Sequence, residues 1–460
     1  MACRNANATA AFALTMVLLL SGCTSPVTES KGADSGATTV VENATEPSAS
    51  RNIDLTTLEG EINGILASGN LVGPDHFRRM RNDLDALAAN EDGIRIDALA
   101  RKLAELDPVQ YESKSAPASK NPDEQILAAL PSCSGRQFTV SPVDMSNVYE
   151  ITPMGNLGPP GHTLPTDHMY IHVSGGRSTT STVPLRAPGE IYIISVTSDS
   201  DDIAPERTEY SMIFALCRDV FGYFDHVKGV SPQIAAWLEG AECERFTEGQ
   251  HDSCTKRIYQ KVAAGAVIGE VGHLQGNFDF GAYDYRNRLD FTNPPRYGED
   301  SGGLWRPRTP YITCPLDLYE GETKADMYGK VAGTNGCGKT MYDVKGTLQG
   351  NWFYGDGRAD TGEYSSHLSF VYENKDPSQA VISIGGTVAG PGKLAFSPQA
   401  SGVINRRFDQ MLPDGKVYCY TDGSRKVVVK MENNEQISVE AGTGPCSYSE
   451  SLASPYTYRR

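Results

Sequence analysis

Residues 266–284 read AVIGEVGHLQGNFDFGAYD, and this stretch decides the fold class. Its second half alternates apolar residues with small or polar ones, which is the period of a β-strand, and a glycine-rich turn separates it from AVIGEV. Further strand-like runs, bounded by Gly, Pro, Ser and Asp, are VYEI (148–151), HMYIHV (168–173), EIYIISV (190–196), YSMIFAL (210–216) and YFDHV (223–227). We therefore predict a β domain over residues 133–300.

A second β-rich region follows residue 300. Its clearest strand-like segments are MYDVKGTLQGNWFY (341–354), LSFVYEN (368–374), AVISIGG (380–386), KVYCYT (416–421) and KVVVKM (426–431). Short strands at this spacing predict a second β-sandwich or barrel over residues 301–460. The phrase GTLQGNW (346–352) resembles the start of small ligand-binding barrels, so a carrier of a small apolar ligand is one alternative function.

The pattern upstream of these domains is helical. Leu55, Leu58, Ile62 and Ile65 recur at three- and four-residue spacing, and similar apolar stripes follow over residues 77–87 and 96–106. We predict a small N-terminal α-helical region over residues 52–130. The whole chain is therefore expected to be mainly β.

The first residues predict export. Arg4 precedes an apolar run over residues 8–20, which is shorter than the roughly 20 residues of a membrane span and has the form of a signal peptide over residues 1–22. The end of this run, LSGC (20–23), resembles the bacterial lipobox, which implies cleavage before Cys23 and acylation of that cysteine. Residues 23–51 are rich in Ser, Thr, Gly and Ala and predict a flexible tether.

The expected location is thus a membrane surface outside the cytoplasm. Acylated Cys23 would contact membrane lipid, at the outer membrane or facing the periplasm in a Gram-negative host and at the cell surface otherwise. The chain has 41 basic and 57 acidic residues, a net charge of −16, and such an acidic surface excludes nucleic acid as a partner.

A segment that matches the Walker A pattern is not expected to bind nucleotide. Residues 333–340 read GTNGCGKT, which fits the pattern letter for letter. A phosphate site needs a helix directly after this loop, whereas the following residues are β-prone and contain two glycines. We predict a glycine-rich turn instead.

The cysteines predict disulfides. Of the ten, Cys3 lies in the signal peptide and Cys23 takes the lipid, so eight remain. An even number in an exported protein indicates disulfide bonds, and the absence of a CxxC motif argues against a cysteine zinc site. Sequence alone does not fix the connectivity, but order and domain membership favour Cys133–Cys217, Cys243–Cys254, Cys314–Cys337 and Cys419–Cys446.

A group of histidines and carboxylates forms the candidate site. The segment GPPGHTLPTDHMY (158–170) places His162, Asp167 and His168 at the mouth of a predicted strand. Downstream, YFDHV contributes His226 and NFDF contributes Asp279, with the turn AGAVIGEVG (264–272) between them. Imidazoles and carboxylates are metal ligands and proton carriers, so these residues predict a metal or acid–base site.

In this order the segments resemble the lysostaphin/LytM-type zinc endopeptidases, which cut peptidoglycan cross-bridges. The resemblance covers residues 150–290 and implies a zinc ion held by His162, Asp167 and Asp279. Because the first spacing is one residue longer than in the family, His168 could replace either of the first two ligands. His226 matches the catalytic histidine, and Asn277 stands where the family has a second one.

Because the sequence differs from the family pattern at these positions, two functions remain open for this domain. The first choice is a diverged, non-catalytic LytM-like domain that binds peptidoglycan or an envelope partner, because Asn277 cannot handle a proton. The alternative is an active metal-dependent peptidoglycan peptide hydrolase with an oxygen-rich ligand set. A third reading is that the same residues are only polar groups at strand ends.

We predict that Cys23→Ser leaves the protein unacylated and largely released from membranes, because only the cysteine sulfur accepts the lipid. Metabolic labelling with a palmitate analogue tests this. Equal labelling of the variant and the wild type would contradict the lipoprotein hypothesis.

Overall fold

The computed structural model describes residues 54–68, isolated positions between 79 and 103, and residues 122–173, 181–201, 208–248, 251–272, 275–298, 304 and 307–460. The chain divides into two compact units, Met1–Pro117 and Ala118–Arg460. The predicted signal peptide, the lipidation site Cys23 and the tether lie outside the described residues.

The first unit contains helix α1 (Leu55–Ser68). The backbone N–H of Thr57 donates to Asp54 Oδ1 at 2.8 Å, which caps the first turn. The apolar face predicted from the sequence is buried in one cluster made of Leu55, Leu58, Ile62, Met80, Leu84, Leu99 and Leu103. The helical prediction is therefore confirmed for these residues.

The second unit begins with a large antiparallel sheet. Its strands are β1 (Val148–Thr152), β2 (His168–Val173), β3 (Val183–Arg186), β4 (Ile191–Asp201), β5 (Glu209–Ala215), β6 (Val220–Val230), β7 (Cys243–Glu248), β8 (His251–Val262), β9 (Val267–Val271), β10 (Asn277–Asp284) and β11 (Ile312–Thr313). The main path is β1-β2-β10-β6-β5-β4-β8-β7, while β11 pairs with β10 and β9 joins β3 to β6. This order places β2, β10 and β6 side by side.

A second antiparallel sheet follows in the same unit. Its strands are β12 (Gly350–Tyr354), β13 (His367–Tyr372), β14 (Ala380–Ile384), β15 (Gly392–Phe396), β16 (Tyr418–Thr421), β17 (Arg425–Asn433), β18 (Gln436–Thr443) and β19 (Tyr456–Arg459). They are ordered β15-β14-β13-β12-β19-β18-β17-β16. Trp352, Phe370, Phe408 and Tyr420 fill the space that this barrel-like sheet encloses and are fully buried. This packing gives no support to the hypothesis of a carried apolar ligand.

Helices are short in the described part of the second unit. The α-helices are α2 (Pro122–Ala129), α3 (Pro232–Glu239) and α4 (Gly321–Tyr328). Single 3₁₀ turns occur at Met145–Asn147, Pro294–Tyr297, Thr309–Tyr311, Pro315–Leu318, Tyr364–Ser366 and Phe408–Gln410. Together with the two sheets, these elements confirm a mainly β protein with a small helical N-terminal region.

The hydrophobic core of the first sheet includes residues from both sides of the predicted domain, which was bounded at residues 133 and 300. Leu130, which follows α2, packs in the core of the first sheet, although the predicted helical region extends to residue 130. Leu316, Tyr319 and Met327 also belong to this core, although they come after residue 300. The reason is local: β11 pairs with β10, which draws the following turns onto the first sheet.

One predicted strand is largely absent. Only Gly350–Tyr354 of the segment 341–354 is a strand, and the residues before it form turns. Gly350 has a φ of +123°, and a Cβ there would lie 2.0 Å from Asp343 Oδ1, so the chain folds back on itself at this point. The strand predicted from apolar periodicity therefore begins only at Gly350, because the turn at this glycine redirects the backbone.

The Walker-like segment is an irregular turn, as predicted. Gly338 has a φ of +89°, and a Cβ at this position would lie 2.1 Å from the carbonyl oxygen of Met154. No helix follows the loop, because residues 339–349 are turns and irregular backbone. Cys337 is disulfide-bonded to Cys314. Gly338 therefore serves close backbone packing.

The four favoured disulfides are all present: Cys133–Cys217, Cys243–Cys254, Cys314–Cys337 and Cys419–Cys446. Bonds of this kind persist in oxidising compartments, so they indicate a location outside the cytoplasm. Among the described helices, none has the length and apolar character needed to cross a membrane.

We expect these eight cysteines to resist alkylation in the absence of a reductant, because each sulfur is already bonded. Intact-mass measurement after iodoacetamide treatment of the denatured, unreduced protein checks this. Two or more modified thiols among them would overturn the assignment, and the reduced protein serves as the control for full labelling.

Candidate functional site

The site lies on one face of the three central strands. Asp279 on β10 is paired with Tyr170 on β2 and with Asp225 on β6. One step along the same face, Gly281 lies between His168 and Tyr223. Directly opposed residues of antiparallel strands point to the same side of a sheet. The pairing therefore aligns two rows of polar side chains.

A β-bulge brings one more side chain to this face. On β5 and β6, Tyr210 pairs with Val227 and Met212 with Phe224, which leaves Asp225 and His226 opposite a single residue. His226 has a φ of +60°. Successive residues of a regular strand point to opposite faces, whereas a bulge re-aims one of them. The side chains of Asp225 and His226 thus both approach Asp279.

Two imidazoles converge on one carboxylate oxygen. His168 Nε2 is 3.2 Å from Asp279 Oδ2, and His226 Nε2 is 3.7 Å from the same atom. Within the described part of the chain, His168 Nε2 and Asp279 Oδ1 are buried without a hydrogen-bond partner. The short distance from His168 to Asp279 therefore lacks the alignment of a hydrogen bond. Buried polar atoms without a partner are uncommon in folded proteins, and a bound water molecule or ion is one of the usual reasons for them.

The opposite nitrogen of each imidazole is held by a carboxylate. His168 Nδ1 is 2.9 Å from Asp167 Oδ1 and 2.7 Å from the Tyr223 hydroxyl. His226 Nδ1 is 2.7 Å from Glu209 Oε2. A carboxylate on one ring nitrogen fixes the tautomer and leaves the other nitrogen to bind a metal. Both rings thus present Nε2 to the same place.

Asp167 is committed to this orienting role in the structure. In addition to the contact with His168, its Oδ1 accepts a hydrogen bond from Tyr223 at 2.9 Å and its Oδ2 accepts one from Tyr283 at 2.6 Å. Burial raises the pKa of Asp167, but the hydrogen bonds of His168, Tyr283 and Tyr223 outweigh this effect and hold the pKa well below its ordinary value. Asp167 is therefore a permanent carboxylate with both oxygens occupied.

The charges of the central cluster depend on one another. Burial raises the pKa of Asp279 to about 6, and the charges of His168 and His226 offset this only in part. Burial lowers the pKa of His226, but the hydrogen bond with Glu209 and the charges of Asp279 and Asp225 raise it to about 9. Burial also lowers the pKa of His168, but the hydrogen bond with Asp167 and the charge of Asp279 outweigh it and raise that pKa. Positive charge on both imidazoles is therefore favoured around Asp279 when no ion is bound. A divalent cation could replace their protons, because metal ligation requires neutral imidazole.

Three of these residues could hold a metal ion. Asp225, His226 and Asp279 offer one donor atom each within 4.8 Å of one another. His168 lies beside this group, with its Nε2 3.2 Å from Asp279 Oδ2, but its donor atoms are not that close to all three. Four-coordinate zinc binds nitrogen and oxygen at about 2.0–2.2 Å, which puts neighbouring donor atoms roughly 3.3–3.6 Å apart. The separations of 3.2 and 3.7 Å from Asp279 Oδ2 to the two Nε2 atoms are close to this value.

The structure brings together all five predicted residues but arranges them differently. His168, His226 and Asp279 meet at the centre, and Asp167 lies behind His168. His162 is exposed at the rim, with its ring centroid 5.5 Å from that of His168. Desolvation and the charge of His168 lower the pKa of His162. It is therefore a neutral imidazole near pH 7.

Sequence reasoning missed the groups that orient the imidazoles. Tyr223 and Asp225 could have been paired, because they are two residues apart on one predicted strand and so share a face. His226 reaches that face only through the bulge. Tyr283 follows Asp279 at a spacing of four, which is also same-face spacing. Glu209 carries no such signal, since it reaches His226 only through the pairing of β5 with the bulged β6. Asn277 is buried at the start of β10.

Comparison with known proteins adds no assignment. No family model matches the chain, and no curated protein does so either. The case for a function therefore depends on the geometry of this site.

Gly281→Ala should displace the ring of Tyr223, which supports the site, and lower the free energy of unfolding. A Cβ at residue 281 would lie 2.0 Å from Cε1 of Tyr223, whose hydroxyl contacts Asp167 and His168. Overpacking of this kind costs about 1–3 kcal/mol of unfolding free energy. Urea denaturation checks the loss, with Gly229→Ala as the control, because a Cβ there meets nothing within 4 Å. Equal stability of the two variants would contradict the packing described.

Proposed function

We propose that this chain is an exported envelope lipoprotein, anchored through acylated Cys23, whose first sheet forms a diverged LytM-type domain with one bound divalent metal ion. In this proposal the domain binds cell-wall peptide, or another envelope protein, without cutting it. The observation that carries the metal site is the convergence of His168 Nε2 and His226 Nε2 on Asp279 Oδ2.

Zinc is the ion that we propose. It accepts both imidazole nitrogen and carboxylate oxygen, the two kinds of donor atom that meet at this site. His168, His226, Asp279 and Asp225 would hold it, with Asp167 and Glu209 orienting the two imidazoles. A bound zinc ion would supply a Lewis acid that polarises a carbonyl group of the ligand. The surrounding carboxylates would reduce its net charge and with it that polarising effect.

The residues around this centre favour binding over cleavage. Asn277 stands at the position of one catalytic histidine of the family, and its amide cannot accept a proton. His226 stands at the other, but Glu209 holds its Nδ1 and its Nε2 faces Asp279. Loss of one acid–base group typically costs about 10²–10⁴ in rate. Slow or absent hydrolysis follows.

One observation favours metal-dependent hydrolysis as a second candidate. His162 is exposed beside the metal-binding residues, and its ring forms no hydrogen bond in the described part of the chain. Its lowered pKa leaves it able to accept a proton near neutral pH. If cleavage occurs, His162 is the residue that would handle the proton.

We expect about one zinc ion per chain in the wild type and little in Asp279→Ala, because the shared carboxylate oxygen is lost. Elemental analysis after dialysis measures this, and circular dichroism checks that the variant is folded. Asp356→Ala, which removes an exposed carboxylate from the second sheet, is the matched control and should keep the metal.

The same samples separate the two candidate functions. A cross-bridge peptide assay should detect no cleavage with zinc-loaded wild type, and pull-down by insoluble peptidoglycan should retain the protein. Robust cleavage that His162→Gln abolishes would replace the binding proposal with hydrolysis. Absence of zinc from the wild type, even after loading and with intact folding, would leave these residues as an ion-pair network only.

A further inference from the structure

Arg308 lies at the far end of the row of side chains that leads to the candidate metal site. Its guanidinium carbon is 5.6 Å from the ring centroid of Tyr283. The ring of Tyr283 stacks on that of Tyr223, with centroids 5.8 Å apart and planes inclined by 9°. The Tyr223 hydroxyl in turn contacts His168 Nδ1 at 2.7 Å. A continuous row therefore connects Arg308 with the imidazole that faces Asp279.

This row is accessible from solvent although its base is buried. Arg308 is exposed, and the side chains of Asp167 and His226 keep 30% and 25% of their surface. Tyr283, which lies between Arg308 and Asp167, is only 2% exposed. The polar groups of the row are therefore accessible to a ligand, while the aromatic base holds them in place.

Arg308 forms no direct ion pair with a carboxylate in the described ranges, although the neighbouring Tyr283 and the charge of Asp167 raise its pKa. Other arginines of this acidic chain are paired, for example Arg286 with Asp284 at 2.7 Å and Arg257 with Asp123 at 2.9 Å. Arg308 forms no side-chain hydrogen bond or ion pair with any residue in the ranges that the structure describes. Its planar fork of N–H donors, which matches a carboxylate, is therefore available to a ligand.

The charge pattern along this row of side chains indicates the class of ligand. Asp167, Asp225 and Asp279 surround one end, whereas Arg308 at the other end is a cation that attracts a carboxylate of the ligand. Tyr283 and Asp279 are four residues apart on β10, which corresponds to roughly 13 Å. An extended peptide of about four residues covers that length.

We propose that Arg308 is the specificity-determining residue of this face of the sheet and binds a free carboxylate of an acidic peptide ligand. This inference rests on the proposed function, because it takes the metal-bearing face as the place where the ligand lies. Stem peptides of the cell wall, which carry free carboxylates, belong to this chemical class.

The test compares a cell-wall stem tetrapeptide that has free carboxylates with the same peptide in fully amidated form. Calorimetry on the zinc-loaded protein measures both dissociation constants for wild type, Arg308→Gln, Arg308→Lys and the control Arg245→Gln. Arg245 is a surface arginine paired with Asp252, so its loss changes the net charge equally. Zinc content and thermal unfolding are measured on all four proteins.

We expect wild type and Arg245→Gln to prefer the free acid by about 10- to 100-fold, the range of a charged hydrogen-bonded pair. Arg308→Gln should lose this preference, Arg308→Lys should keep part of it, and zinc content should not change. Equal binding of acid and amide by wild type, or an undiminished preference in Arg308→Gln, would overturn the role of Arg308 alone. Failure of wild type to bind either peptide would overturn peptide binding itself and the inference with it.

Discussion

The site depends on one buried carboxylate, Asp279, and on the two imidazoles that share its Oδ2 atom. Asp279 is 4% exposed on the central strand of its sheet, where an unpaired charge is costly. His168 reaches it from the strand on one side and His226 from the strand on the other. Without these neighbours, burial would keep the carboxyl protonated. With them, it becomes an anion that can hold a cation.

The backbone supports this arrangement at two points. The bulge at Asp225 and His226 directs both side chains to the same face, which a regular strand cannot do. Gly281 leaves the space that the Tyr223 ring occupies, and this ring carries the hydroxyl between Asp167 and His168. A buried, hydrogen-bonded support of this kind fixes the direction of the imidazoles before any ligand arrives.

Much of the fold could be predicted from the sequence, because alternation of apolar residues reports a half-buried strand directly. The segments around residues 148–151, 168–173, 210–216 and 277–284 are strands of nearly the predicted length. The sequence does not predict β7 and β8, because they are rich in polar residues and lack the alternation of apolar and polar residues. The prediction of a strand over residues 341–349 is wrong, because the spacing of apolar residues does not show where a glycine adopts a positive φ and turns the chain.

The candidate site could be predicted as a set of residues but not as an arrangement. The sequence predicts His162, Asp167, His168, His226 and Asp279 as one group, and these residues lie together in the structure. Spacing in the sequence could not say which nitrogen of an imidazole faces inward, because that depends on partners such as Tyr223 and Glu209 from other strands. The same cause explains why His168, and not Asp167, faces Asp279. Asp167 precedes the strand, whereas His168 lies within it and is paired with β10.

The most direct test of this account is anomalous diffraction at the zinc absorption edge from crystals of the zinc-loaded protein. The account predicts one strong peak at about 2.0–2.2 Å from His168 Nε2, His226 Nε2 and a carboxylate oxygen of Asp279. A peak bound instead by His162 and Asp167, or no peak near Asp279 at full zinc loading, would contradict it.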